Sequence, residues 1–385
     1  MSRIRLLKSS QAYSGYPELF YADRPGLGER PFSEQMQIFL ADGFFFGDAW
    51  KFYLEAGGRY EVMDVVFNAE LAQRQWAREH GVRYSEENWS EAILAAQLAD
   101  FKPDIWFCNA WLTAQQRLRL RRACPSIRYV IGYDGIRNHD PECLAGCDAV
   151  LSCVRESAAF YTRAGFRGYW IPWGFDPRLL ARLKPSQERY LISFCGSMVI
   201  QRNVSHFERL RLVDRLQRAV GIDVFCADLS GRKIERLLLS HLYRRRLDLA
   251  WRTVQICPAV RRLRRINCGE RFGLAMLQTL ADSKVTLNIH IDIGKTAGNI
   301  RLFEATGVGT CLLTDWKENL PDIFEPDREV VAFCSAEECA EKARYLLDHE
   351  EARRAIAAAG QKRCLRDHNI GHHILKFADE VLNKL

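Results

Sequence analysis

No apolar run in the 385 residues approaches the roughly 20 that a helix needs to span a bilayer. The opening stretch Met1-Ser2-Arg3-Ile4-Arg5-Leu6-Leu7-Lys8 is basic but lacks a long apolar core and a small-residue cleavage site, so no signal peptide is expected. No disulfide framework is legible either, because the thirteen cysteines are odd in number and scattered in spacing. Cys108, Cys195, Cys226 and Cys311 lie in or beside apolar, strand-like runs, where Cys acts as a small hydrophobe. Cys143, Cys147 and Cys153, with His139, have the residue types of a zinc knuckle. A reducing cytosol is the simpler account, and no metal is expected.

What is present is a globular composition, 48% hydrophobic and 27% charged. The length exceeds one ordinary core and predicts two domains. The net charge of +7 is concentrated: Gly231 to Arg271 holds twelve Arg or Lys against three acids, so the remainder is slightly acidic. Within that segment Leu237, Leu238, Leu239, Leu242, Leu247 and Leu249 are interleaved with Arg244, Arg245 and Arg246, and Val260 to Ile266 repeats the mixture. Two readings stand side by side. The leucines can pack on their own domain beneath a solvated basic face, or residues 232–271 can meet an anionic membrane surface. Nucleic acid is not expected, because aromatic residues are sparse there.

Strand and helix patterns alternate through the first half. Strands are predicted at 60–68, 104–109, 127–132 and 149–153, and helices at 69–80, 90–99, 112–123 and after 153. That alternation implies a parallel, doubly wound sheet with every strand's carboxyl end on one rim. Asn109 and Asp134, in Tyr133-Asp134-Gly135, fall on this rim, and Asp48, in Gly47-Asp48, is a further polar candidate. Asp-Gly and Gly-Asp also mark ordinary turns. Ile171-Pro172-Trp173-Gly174-Phe175-Asp176-Pro177 reads as a stiff connector, dividing a first domain at 1–172 from a connector at 173–188 and a second domain at 189–370. A final helix is expected at 371–385.

The second half restarts with a strand, 190–195, that runs into Gly196-Ser197, with Arg202 just beyond; such a turn can present backbone N–H groups to phosphate. Further strands are expected at 222–227, 283–290 and 329–334, and helices at 336–348 and 350–366. The most informative stretch is Asn299 to Asp315. It places Arg301 and Glu304 three residues apart at a helix start, then Gly307 and Gly309, then an apolar strand, 311–313. A carboxylate at the rim of a parallel sheet can accept both hydroxyls of a ribose, and the neighbouring Arg can face a diphosphate. Before it, Gly294-Lys295-Thr296-Ala297-Gly298 forms a loop in which Lys295 can hold phosphate; a plain surface loop is the alternative.

Asn299 to Asp315, Phe324-Glu325-Pro326, Glu329-Val330-Val331 and Ala359-Gly360-Gln361-Lys362-Arg363 before Asp367-His368 resemble the C-terminal domain of glycosyltransferases of the GT-B fold, nearest the group related to the spore-maturation protein CgeB. The resemblance is strongest from about 285 to 373. It implies an α/β architecture of two Rossmann-like domains facing across a cleft, with the C-terminal helix packing back on the first. A nucleotide-sugar donor would bind mainly the second domain, and a glycan or lipid-linked acceptor the first. It assigns Glu304 to the ribose and Arg202 and Arg301 to the diphosphate, with Gly196, Ser197, Lys295 and Asn299 lining the same site. Many retaining relatives carry a second Glu where this chain has Thr296.

Sugar transfer needs a stabilised leaving diphosphate and a nearby nucleophile; an inverting enzyme usually also needs a base. The chain has no Asp-x-Asp, the carboxylate pair that often holds a metal in the other major glycosyltransferase fold, which accords with a metal-independent site. Asp134 is the first candidate for base or acceptor contact and Asp48 the second. The expectation is therefore a cytoplasmic enzyme of surface-polysaccharide, lipopolysaccharide or glycolipid assembly, peripheral at the inner face of the membrane. A nucleotide-sugar epimerase of the same fold and a non-catalytic membrane-associated module are the alternatives.

Overall fold

The computed structural model describes the chain except residues 1–2, 45–46, 136–139, 199–204, 228, 230 and 291–295, and the side chains of 205–206, 231–234 and 237. It divides into two units: Met1–Pro172 with Ile370–Leu385, and Trp173–Asn369.

The first unit is built on a six-stranded parallel sheet. Its strands are β1 (Ile4–Ser10), β2 (Tyr60–Val66), β3 (Ile105–Asn109), β4 (Tyr129–Tyr133), β5 (Ala149–Ser152) and β6 (Arg167–Trp170), in the order β2-β1-β3-β4-β5-β6. Apolar runs such as Ile105–Cys108 are buried on both faces, as helix-covered parallel sheets require. Strand β1, unread in the sequence, is interior, paired with both β2 and β3. Its Leu6 and Leu7 are fully buried, and Lys8, in register with Asp64 of β2, ion-pairs with it at 2.6 Å. Burial pushes the Asp64 carboxyl up while Lys8 opposes the shift. The charged partner, 56 positions away, is what allows a Lys inside the sheet.

Local capping corrects some expected boundaries. The helix expected from 112 starts at Ala114, because Thr113 accepts the Gln116 N–H and the Gln116 side chain accepts the Thr113 N–H in return. The strand expected through Asn68 stops at Val66; Asn68 instead exchanges two hydrogen bonds with the backbone of Ala12, fixing the loop after β1. The C-terminal helix, Ile370–Glu380, belongs to this unit: Phe377 lies edge-on to Trp50 and Tyr169.

The second unit holds a five-stranded parallel sheet of β7 (Tyr190–Cys195), β8 (Asp223–Phe225), β9 (Ser283–Asn288), β10 (Cys311–Asp315) and β11 (Val331–Phe333), ordered β11-β10-β9-β7-β8. Its two faces carry separate cores, one around Ile192, Phe207, Leu263 and Leu313, the other around Phe175, Leu277, Phe303 and Phe324. Gly307, on the helix Ile300–Gly307, is fixed by the second core: a Cβ there would lie 2.3 Å from the ring of buried Phe175. Gly307→Ala is therefore expected to destabilise the fold by about 1–3 kcal/mol through overpacking, seen as a lower urea midpoint at unchanged slope.

Candidate active site

In each sheet the strand order reverses direction beside the first strand, between β1 and β3 in one unit and between β7 and β9 in the other. Ligands of open α/β sheets bind outside the strands' carboxyl ends at such points.

In the second unit the β7/β9 point is bridged by Arg209, a buried residue of the helix Ser205–Val220. It donates to the Ser197 carbonyl at 2.8 Å and the Ile289 carbonyl at 2.7 Å, tying together the loops that leave the two strands. Nothing in the Arg-rich sequence of that helix distinguishes it. Gly196 donates its N–H to Phe225 O at 3.1 Å, so that group is already engaged; Ser197 is exposed.

Next to β9 and β10, His290 is locked by Asp315. The Asp315 carboxylate accepts both the backbone N–H and Nδ1–H of His290, at 2.9 and 2.7 Å, while Nε2 accepts from Gly298 N at 3.4 Å. Burial pushes the Asp315 carboxyl up, but His290 and Lys317 outweigh it and hold the group below its ordinary range. Asn319 secures the same loop by bonding both the N–H and the carbonyl of Ala297. This scaffold leads directly into Asn299, which holds the N-cap position of the helix Ile300–Gly307 without a side-chain capping bond and donates its amide to Asn288 Oδ1 at 2.8 Å.

On that helix Arg301 Nη1 lies 2.7 Å from Glu304 Oε2, both side chains about 15% exposed (14% and 15%). The contact is an ion pair without hydrogen-bond geometry. Among the described residues Glu304 Oε2, Arg301 Nε and Asn299 Oδ1 have no hydrogen-bond partner, and Arg301 Nη1 donates instead to the Met276 sulfur. Burial pushes the Glu304 carboxyl up, with Arg301 opposing. The fold thus holds a half-satisfied polar group at a sheet rim, an arrangement that costs stability unless a ligand completes it.

Cys195, directly before Gly196, feels the charges of Arg301, Glu304 and Arg271, and burial pushes its thiol up to about 12. Cys195 shares one core with Leu302, Phe303 and Ala305 of the helix that carries Arg301 and Glu304. Arg271 stands over the Phe225 ring at 5.7 Å and adds an exposed cation that the sequence showed only as part of the basic segment. Arg202 and Lys295 lie outside the described residues, as does His139. All thirteen cysteines are free, and among the described residues no group of three or more His, Cys, Asp or Glu is placed to hold a metal.

In the first unit the β1/β3 point is bridged by Gln11, whose side chain accepts the Trp111 N–H at 2.9 Å. Trp111, 74% exposed, and Tyr13, edge-on to Phe44, give this rim an aromatic lining that the sequence reading missed. Asp134 continues β4 and accepts a hydrogen bond from the buried Tyr161 hydroxyl at 2.6 Å. Asp48 does not follow a strand. It precedes the helix Ala49–Ala56, beside Gly47, whose φ of +43° and contact with the Leu40 carbonyl exclude a side chain. Asp48 neighbours β1 through the Lys8–Gly47 contact, whereas Asp134 extends β4, with β3 between them. The two candidates thus stand over different strands.

One parallel sheet thus carries a buried carboxylate–guanidinium pair at its rim, and the other a polar, aromatic rim. Residues 232–379 match a family model described as glycosyl transferase-like. The chain is similar in structure to Anabaena HepE solved with UDP-glucose, at 12% identity and TM-score 0.59, with 100% of each chain covered. It is similar also to sucrose-phosphate synthase from Thermosynechococcus elongatus, at 12% identity and TM-score 0.57, covering 99% of each. A third similar structure is one assigned as a UDP-N-acetylglucosamine 2-epimerase from Listeria monocytogenes, at 10% identity and TM-score 0.51, covering 100% of this chain and 97% of that one. No curated protein matches the sequence. The fold is GT-B, and the glycosyl transferase-like match falls on residues 232–379. No helix among the described residues is long and apolar enough to cross a membrane.

Proposed function

We propose that the chain transfers a sugar from a nucleotide-sugar donor to a glycan or lipid-linked acceptor in surface-polysaccharide, lipopolysaccharide or glycolipid assembly. The observation that carries this reading is the buried Arg301–Glu304 pair with its uncompleted hydrogen bonding at the β7/β9 rim. Glu304 accepts the two ribose hydroxyls. Arg301 and Arg271 face the diphosphate, a role the sequence also suggests for Arg202 and Lys295; Gly196, Ser197 and Asn299 line the approach. Fixed cations and backbone donors stabilise the leaving group in place of a metal. Uridine nucleotides are the first to test, since HepE was solved with UDP-glucose. Within the class we place the chain nearest the CgeB-related group, on its Asn299–Asp315 motif.

On the first unit Asp134, oriented by Tyr161, serves as base or acceptor contact, with Asp48 next in line; Trp111 and Tyr13 offer ring faces to an acceptor. Thr296 leaves the sugar end of the donor without the second carboxylate of many retaining relatives. Because burial raises Glu304 above its ordinary 4.5, and the ribose contacts need the carboxylate, donor affinity should fall on acidification through a pH above 4.5. Titrations across pH check this, and Glu304→Gln should remove the step.

Product analysis tests the function. Incubation with UDP-sugars should release UDP only when an acceptor is present. Conversion of the donor sugar to its epimer without acceptor would establish the epimerase reading instead, and no turnover under either condition would favour a non-catalytic module.

A further inference from the structure

The basic helical hairpin is not used by the donor or acceptor sites, and Leu239, Leu242 and Leu247 do not pack on their own domain. The helix Leu247–Ile266 is apolar on two faces. One face, with Leu249, Thr253, Ile256, Val260 and Leu263, is buried, and its C-terminal part packs on the helix Ser205–Val220 in the core. Arg262 fastens it there through two 2.7 Å hydrogen bonds to Asp214. The other face, Leu247, Trp251 and Val254, follows the same 3.6-residue period but points to solvent.

The preceding helix, Gly231–Tyr243, ends with Leu239, Leu242 and Tyr243 exposed as well. A three-residue turn, Arg244-Arg245-Arg246, joins the two helices, so these six apolar side chains gather at the tip of one hairpin. Tyr243 is 90% exposed, Leu247 68% and Trp251 64%. Among the described residues these 16 positions hold six of the seventeen exposed large apolar side chains, so this is a patch and not ordinary scatter.

The charge of the patch selects its occupant. Residues 235–254 carry five Arg against Glu235 and Asp248, and Asp248 is engaged by Arg246 at 3.4 Å. Arg244, Arg245, Arg246 and Arg252 are all exposed around the aromatic and leucine side chains. Trp and Tyr favour the boundary between headgroups and acyl chains, and Arg pairs with anionic headgroups just above it. A water-filled environment rewards none of these apolar exposures, and an uncharged hydrophobic partner would leave the arginines without counter-charges.

We propose that the tip formed by Leu239–Val254 inserts into the interface of an anionic phospholipid bilayer, seating the second unit on a membrane surface without crossing it. This does not depend on the donor reading, since no donor-site residue lies in the tip.

Sedimentation with vesicles of phosphatidylcholine, alone or mixed with phosphatidylglycerol, tests the proposal on the full chain. The wild type should bind the mixed vesicles and not phosphatidylcholine alone. Replacing Arg244, Arg245 and Arg246 by Gln should weaken binding by about a hundredfold at low salt, because each cation near an anionic surface is worth roughly fivefold. Tyr243→Ser with Trp251→Ser should weaken it by on the order of tenfold at every salt concentration, since buried apolar area adds to the charge term. Trp251 emission, taken as wild type minus Trp251→Phe, should move to shorter wavelength with mixed vesicles. The substituted side chains are exposed, so circular dichroism and nucleotide titration should be unchanged, which separates failure here from failure of the donor site. A wild type that stays in the supernatant with mixed vesicles overturns the proposal. Equal binding by both variants overturns it too, as does a dimer on gel filtration that the Tyr243/Trp251 variant alone dissolves, since a second copy would then cover the patch.

Discussion

Asp134→Asn should lower turnover by about 10²–10⁴, the range for loss of a positioned proton acceptor, while nucleotide affinity stays unchanged. The substitution is nearly isosteric. Asn keeps an oxygen for the Tyr161 hydroxyl, now 2.6 Å from Asp134 Oδ2, and keeps the backbone bond from Asp134 N to Leu151 O at 2.9 Å. What it removes is basicity. Asp134 stands on the first unit, at the end of β4, and the proposed nucleotide contacts all stand on the second. A drop in kcat without a change in nucleotide Kd therefore isolates a role in transfer. Tyr161→Phe should lower kcat less, because it removes one hydrogen bond from the carboxylate without neutralising it. Full activity of Asp134→Asn with loss in Asp48→Asn would move the base to the turn before the helix Ala49–Ala56.

Glu304→Ala should weaken nucleoside diphosphate binding by about 10²–10⁴, from the loss of two hydrogen bonds to a charged group worth roughly 1.5–3 kcal/mol each. Its effect on stability is the diagnostic part. A folded-state pKa raised by burial means that the ionised group opposes folding at neutral pH. Its Oε2 has no hydrogen-bond partner among the described residues to offset that cost. Removing it should leave the unliganded melting temperature unchanged or higher, while the nucleotide's stabilising effect disappears. A carboxylate kept only as half of a structural ion pair would behave oppositely, lowering stability and leaving affinity intact.

The Arg301–Glu304 rim was readable because its pattern is local. Asn299, Arg301 and Glu304 lie within six residues, and the glycines and strand that follow announce a helix-to-sheet turn. Features that depend on distant partners were not readable. Arg209 is one of several arginines in its helix until it is seen to bridge loops 12 and 80 positions away. Strand β1 looked like a basic N-terminus because Lys8 needs Asp64 to be neutralised. Trp111 gains a role only from its place opposite Gln11 across β1 and β3. In the hairpin, period and composition identified the helices, but which leucines are buried depended on where the helix Ser205–Val220 lies.

Isothermal titration of the chain with a panel of nucleoside diphosphates, repeated with Glu304→Ala, tests the central claim most directly. The account predicts that at least one, with UDP the first candidate, binds the wild type with one-to-one stoichiometry and fails to bind the variant at the same concentrations. Absence of binding by every nucleotide, or equal binding by Glu304→Ala, would contradict it.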